Sequence, residues 1–110
     1  MAIITHFTPR SLWENAVARG VFERDTLVSQ DFIHCSTPEQ VVNVANHIAR
    51  DWDDVVLLWI DEEKVGPKIV YENLEGGTTL FPHIYGALNL DAVTHVTEFP
   101  KDSNGKFRLP

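Results

Sequence analysis

Three of the five histidines sit in settings suited to proton transfer or to gripping a polar ligand. His6 is followed by Phe7-Thr8, His34 lies within Phe32-Ile33-His34-Cys35-Ser36-Thr37, and His83 lies within Phe81-Pro82-His83-Ile84-Tyr85-Gly86. Histidine as a residue type titrates near neutrality, so an imidazole in a cleft can serve as general acid or base. His47 and His95 fall beside an apolar helix stripe and on a strand face, and both read as ordinary structural residues.

Strand geometry sorts the residues around His34. Successive side chains point to opposite faces, so His34 and Ser36 share one face while Ile33 and Cys35 share the other. A nucleophilic thiol needs a base within hydrogen-bond reach, and this alternation turns His34 away from Cys35, which reads as a buried, inert cysteine. Ser36 opens a helix after a strand but lacks the glycines of a G-x-S-x-G elbow. His6, His34 and His83 with Glu72 would make an N/O metal site if strands converged, yet no H-x-H or H-E-x-x-H spacing demands one, and no metal site is assigned. The Ser36-Thr37 junction offers hydroxyls and free helix N–H groups, a natural place for a phosphate or a ribose.

The elements that must position these groups are readable from period and punctuation. Ala2 to Phe7 reads as a strand, and Thr8-Pro9 as the cap and first residue of a helix stopped by Gly20. Val21 to Asp31 shows no period. Phe32 to Ser36 is a second strand. Thr37-Pro38-Glu39-Gln40 is a capping box that starts a helix to about Arg50, with Val41, Val44, Ala45, Ile48 and Val42 on its buried side. Val55 to Ile60 is apolar at every position, as in a strand covered on both faces. Ile69 to Glu72 is a further strand, Glu75-Gly76-Gly77 a turn, and Pro82 marks an edge or bend between Thr78–Phe81 and His83–Tyr85. The last strand runs from Ala92 to Phe99, with Val93, His95, Thr97 and Phe99 on one face. Helices early and strands late make an α+β domain over residues 1–99, followed by a polar, mobile tail over 100–110.

Composition narrows the function classes. A chain of 110 residues that is 44% hydrophobic has enough apolar surface for one core, and it is not disordered. Its longest apolar run, Val55 to Ile60, is far too short to span a bilayer. Met1 to Phe7 lacks the basic start and apolar length of a signal peptide, and one cysteine leaves no internal disulfide, so a cytoplasmic location is expected. A net charge of −7 repels phosphate backbones and anionic membranes, so nucleic-acid polymers and membranes are poor partners.

Taken together, Ile4-Thr5-His6-Phe7-Thr8, Gly20, the His34 segment, Val55 to Asp61 and Leu80 to Gly86 resemble the bacterial domain-of-unknown-function family 952 over nearly the whole chain except the tail. That family is remotely similar to the ADP-ribosyltransferase fold. The resemblance implies two small, mostly antiparallel sheets with two main helices and a cleft that holds NAD. It also implies that His6 with Thr8 contacts a ribose, and that Phe32 with Ser36 and Thr37 forms the second wall. The glutamate of the transferases falls near Phe81 to His83, where this chain has His83 and Tyr85, with Glu72 and Glu75 upstream. RNA 2′-phosphotransferases of the same fold rely on several arginines, and Arg10 alone lies near a motif here.

The expectation is therefore a cytoplasmic protein that binds NAD, ADP-ribose or a related small nucleotide. Ligand-binding residues would be His6, Thr8, Ser36, Thr37 and Tyr85. If the chain is an enzyme of glycosyl or phosphoryl transfer, His83 and His34 would be catalytic. A non-catalytic metabolite- or partner-binding module and a metal-assisted hydrolase stay open beside it.

Overall fold

The computed structural model describes residues 2–24, 31–74 and 76–110. Glu75 and residues 25–30 of the stretch without period lie outside the described residues. The elements are β1 (Ile3–Pro9), α1 (Arg10–Arg19), β2 (Val21–Phe22), β3 (Ile33–His34), α2 (Pro38–Ile48), β4 (Val55–Asp61), β5 (Lys68–Glu72), β6 (Phe81–Tyr85), β7 (Leu88–Asn89) and β8 (Val93–Glu98). Short 3-10 turns occupy Glu62–Lys64 and Leu90–Ala92. The α+β class stands, but the described strands form three small antiparallel sheets rather than two: β1-β4-β8, β2-β7 and β3-β6-β5. Among the described residues no helix is long and apolar enough to cross a membrane.

The apolar run of β4 is explained by two cores, one on each side of its sheet. Val56, Leu58 and Ile60 alternate into a core with Ile4, Ile33 and Ile84, while Val55 and Leu57 join Phe7, Val41, Phe99 and Phe107 in a second. An isolated bridge between Thr5 and Ser36 ties the first sheet to the third. Thr5 N donates to Ser36 O at 2.7 Å, Ser36 N returns to Thr5 O at 2.9 Å, and the Thr5 hydroxyl adds a bond of 2.8 Å to the same carbonyl.

Among the described residues, the stop of α1 and the start of α2 follow local chemistry, and the start of α1 is the exception. Gly20 adopts φ 87, the left-handed conformation, and its N–H donates to Ala16 O at 2.8 Å. Thr37 caps α2, and Gln40 Oε1 accepts the Thr37 N–H at 2.9 Å as the capping box requires. The exception is Thr8. It does not cap α1, because β1 continues through Pro9 and holds Thr8 opposite Val56, so Pro9 becomes the cap position.

Four further expectations are corrected. Ile48 is 58% exposed instead of buried, because Val41, Ala45 and Ala49 already fill the core side of α2. Pro82 lies inside β6, the middle strand of its sheet. Its C=O accepts from Cys35 N at 2.9 Å, and the one bond it cannot return, to Cys35 O, falls just past the end of β3 at His34, so the loss is confined to the end of that ladder. A register shift between Trp59 and Ile60 splits the β8 face, turning Val93 and Val96 to the first core while His95 pairs with Trp59. Finally, the segment after Pro100, read as a mobile tail, folds back through a bridge between Lys101 and Phe107, and the Phe107 ring is fully buried in the second core.

Candidate functional site

The β3-β6-β5 sheet is apolar on one face and chemical on the other. Ile33, Ile84 and Ile69 stand in one cross-strand row and pack into the first core. The next row, His34, His83 and Val70, points the opposite way. Two residues along, on that same face, Glu72 lies diagonal to His83, and Tyr85 lies on the other side of it. The antiparallel register of β5 and β6 thus gathers a carboxylate, an imidazole and a phenol that are 13 residues apart at most.

Glu72 Oε2 accepts two hydrogen bonds, one from His83 Nδ1 at 2.9 Å and one from the Tyr85 hydroxyl. Those two bonds, Tyr85's the larger, hold the Glu72 carboxyl below its usual range, and the same carboxylate pushes the Tyr85 phenol up. A carboxylate at Nδ1 fixes that nitrogen as the donor, so the neutral ring keeps its lone pair on Nε2. Phe32 stacks on the His83 ring at 4.2 Å and 18°, and the His34 ring meets His83 edge-on at 5.0 Å. His83 is 3% exposed and lines the cleft; His34 is exposed at its rim.

His6, on β1, meets this row at the backbone of His34. Its Nδ1 donates to His34 O at 2.5 Å, which leaves Nε2 as the acceptor facing Arg24 Nη1 at 3.4 Å. Burial, and then the Arg24 charge, hold this imidazole down at about 3, so it is neutral at every ordinary pH. Arg24 also donates to Thr8 Oγ1 at 3.0 Å and lies 5.8 Å from the Trp52 ring centroid. A cation at Nε2 and a carbonyl at Nδ1 leave His6 no nitrogen for a metal. Among the described residues no three His, Cys, Asp or Glu side chains are grouped to hold one.

These residues enclose a cleft of about 920 Å³, a size typical of small-molecule sites. His6, His34, Ser36 and His83 line it together, and so does Glu72. Thr8, Thr37 and Tyr85 do not line it. Thr8 is buried under Arg24, Thr37 is engaged with Gln40, and Tyr85 supports Glu72. Ser36 is 4% exposed, with both backbone groups bonded to Thr5. Cys35 faces the core, and burial pushes its thiol up, away from the reactive thiolate. Arg10, the arginine nearest a motif, is committed to Asp54 at 2.9 Å and to Glu98, away from the cleft. Arg24, Asn43 and Trp52 also line the cleft without having been singled out by the sequence, and His47, read there as an ordinary structural residue, lines it too. For Arg24 no period existed to place it; for His47, its i+4 spacing from Asn43 was the available signal.

The comparisons fit this architecture. The family model described as "Protein of unknown function (DUF952)" matches residues 7–96. The crystal structure of protein CC0527 from Caulobacter crescentus superposes with a TM-score of 0.87 at 31% identity, covering 97% of this chain and 94% of that one. The solution NMR structure of the same protein gives a TM-score of 0.86 at 32% identity, covering 99% and 94%. Among curated proteins none matches.

Proposed function

The chain belongs to the DUF952 family of proteins of unknown function, and from its cleft we propose that it binds a small nucleotide-like ligand of the NAD or ADP-ribose class and moves a proton on it through His83. The observation that carries this reading is the Glu72–His83 hydrogen bond at the cleft wall. A carboxylate at Nδ1 orients the ring, selects the tautomer with Nε2 as base and stabilises the imidazolium that forms on proton uptake. His34, edge-on to His83, is positioned to be the second proton carrier. Glu72, rather than a residue between Phe81 and His83, is the glutamate available to this chemistry.

The resemblance to the ADP-ribosyltransferase fold bears on the ligand class. What supports it is that His6 on the first strand and Ser36 after the second motif line one cleft. His6 is neutral and hydrogen-bonded at both nitrogens, so its part is to hold the wall and to order Arg24, and Arg24 brings positive charge into an otherwise acidic protein. An anionic ligand in the cytoplasm fits that charge better than a polymer does.

Isothermal titration with NAD, ADP-ribose and AMP, followed by mass spectrometry of the incubated ligands, tests the reading. Binding by at least one is expected, with turnover that drops by roughly 10²- to 10⁴-fold in His83→Gln while affinity stays within a few-fold. Binding without turnover would turn the site into a metabolite-binding module. Absence of binding by all three at millimolar concentration would remove the nucleotide class.

A further inference from the structure

Helix α2 carries two apolar rows where its packing needs one. Val41, Ala45 and Ala49 recur every four residues and are fully buried in the second core. Val44 and Ile48 form the adjacent row, and both line the cleft, flanked by Asn43 and His47. Val44 touches the core on its other side, but Ile48 is 58% exposed. Leu74, two residues beyond Glu72, lines the same cleft and is 60% exposed. A lone surface aliphatic needs no explanation. Large aliphatics contributed by α2 and by the segment after β5 to one small-molecule cavity, beside a histidine–carboxylate pair, do.

We infer that Val44, Ile48 and Leu74 form a subsite for a flat, uncharged ring of the ligand, set next to the polar end at Glu72 and His83. The inference rests on the cleft being a small-ligand site, and it places the ligand's ring on the aliphatic wall of α2 and Leu74, so that a bare sugar phosphate would leave that wall uncovered. Three features select this occupant. Aliphatic side chains cover ring faces without competing for hydrogen bonds, Asn43 and His47 supply polar groups at the edge, and Arg24 in the same cleft suits an anionic group. A cavity of about 920 Å³ also exceeds what a sugar phosphate fills.

The test compares AMP, ribose 5-phosphate and phenyl phosphate by calorimetry on the chain and on Ile48→Ser and Leu74→Ser. Both side chains are exposed, so both variants are expected to keep the parent melting temperature, which is checked first. The inference expects AMP to bind about tenfold or more tighter than ribose 5-phosphate, and each variant to erase most of that ratio. If phenyl phosphate shows the Ile48 and Leu74 dependence while AMP does not bind, the ring subsite stands, and the titrations with NAD and ADP-ribose decide the nucleotide reading separately. Equal affinities for AMP and ribose 5-phosphate, or a ratio untouched by both variants, overturn the subsite and leave the nucleotide reading in place. Silence from all three overturns the subsite, and overturns the nucleotide reading as well when NAD and ADP-ribose are also silent.

Discussion

His6 shows how one buried side chain ties acid stability to the shape of the site. Its imidazole is held neutral, at about 3 against an ordinary 6.5, first by burial and then by Arg24. The folded value lies below the unfolded one, so the unfolded chain takes up the proton first. Stability is complete above pH 6.5 and is lost as pH falls from 6.5 toward 3. Between pH 6.5 and 4.5 the loss from this residue should be roughly 2–3 kcal/mol. Glu72 and Asp102, both held below the usual carboxylate range, lose stability in the same direction at lower pH, so a control is needed. Urea unfolding at pH 7 and pH 4.5 of the parent and of His6→Gln supplies it: the acid-induced loss should be visibly smaller in the variant. An equal loss in both would show that His6 titrates normally and that its bond to His34 O does not fix the tautomer. The sequence brought His6, His34 and His83 to notice because each stands beside small polar residues. It could not assign them different duties, since those depend on Arg24 and Glu72, which reach them only through the fold.

At the scale of elements, Gln40 joins a helix start to a sheet. Its Oε1 accepts the Thr37 N–H at 2.9 Å and its Nε2 donates to Leu80 O at 2.8 Å, just before β6. Gln40→Ala should cost about 1–2 kcal/mol in urea unfolding, and Gln40→Glu, which keeps the acceptor but loses the donor, should fall between. A change below about 0.3 kcal/mol for Gln40→Ala would mean that solvent replaces both bonds. This capping box was legible because it is written within four consecutive residues, and β4 was legible because burial on both faces leaves an unbroken apolar run. Other features had no local signature. Strands of two residues such as β2, β3 and β7 are too short to show a period. Pro82 was read as a break because its tolerance depends on where β3 ends. The register shift beside Trp59 turned half of β8 over, and nothing in Val93 to Phe99 announces it. Ile48 was assigned to the core because its helical position alone does not distinguish a core from a cleft.

Across the whole molecule, the end of the chain holds one wall of the cleft. Phe107 is fully buried against Phe99, ring centroids 4.7 Å apart, and its backbone N–H donates to Asn46 Oδ1 at 2.6 Å on α2. Lys101 Nζ donates to the carbonyls of Arg50 and Trp52 at 2.7 and 2.6 Å. Those bonds fasten the segment leaving α2, and Trp52 within it lines the cleft. The second core, the closing segment and the ligand site are thus mechanically continuous. Emptying the Phe107 position should therefore act on both stability and binding. Phe107→Ala removes a ring with no exposed surface and should lower unfolding stability by roughly 3–5 kcal/mol, a large part of what a domain this size has. Calorimetry should show a fall in Tm of about 15 °C or more. Phe107→Leu retains most of the volume and should cost roughly half as much or less. At a temperature where both variants remain folded, ligand affinity should drop more in Phe107→Ala than in Phe107→Leu, because the closing segment that fastens Arg50 and Trp52 loses its buried anchor. If Phe107→Ala melted within a few degrees of the parent, the closing segment would be an accessory strap, and α2 would owe its place to Val41 and Ala45 alone.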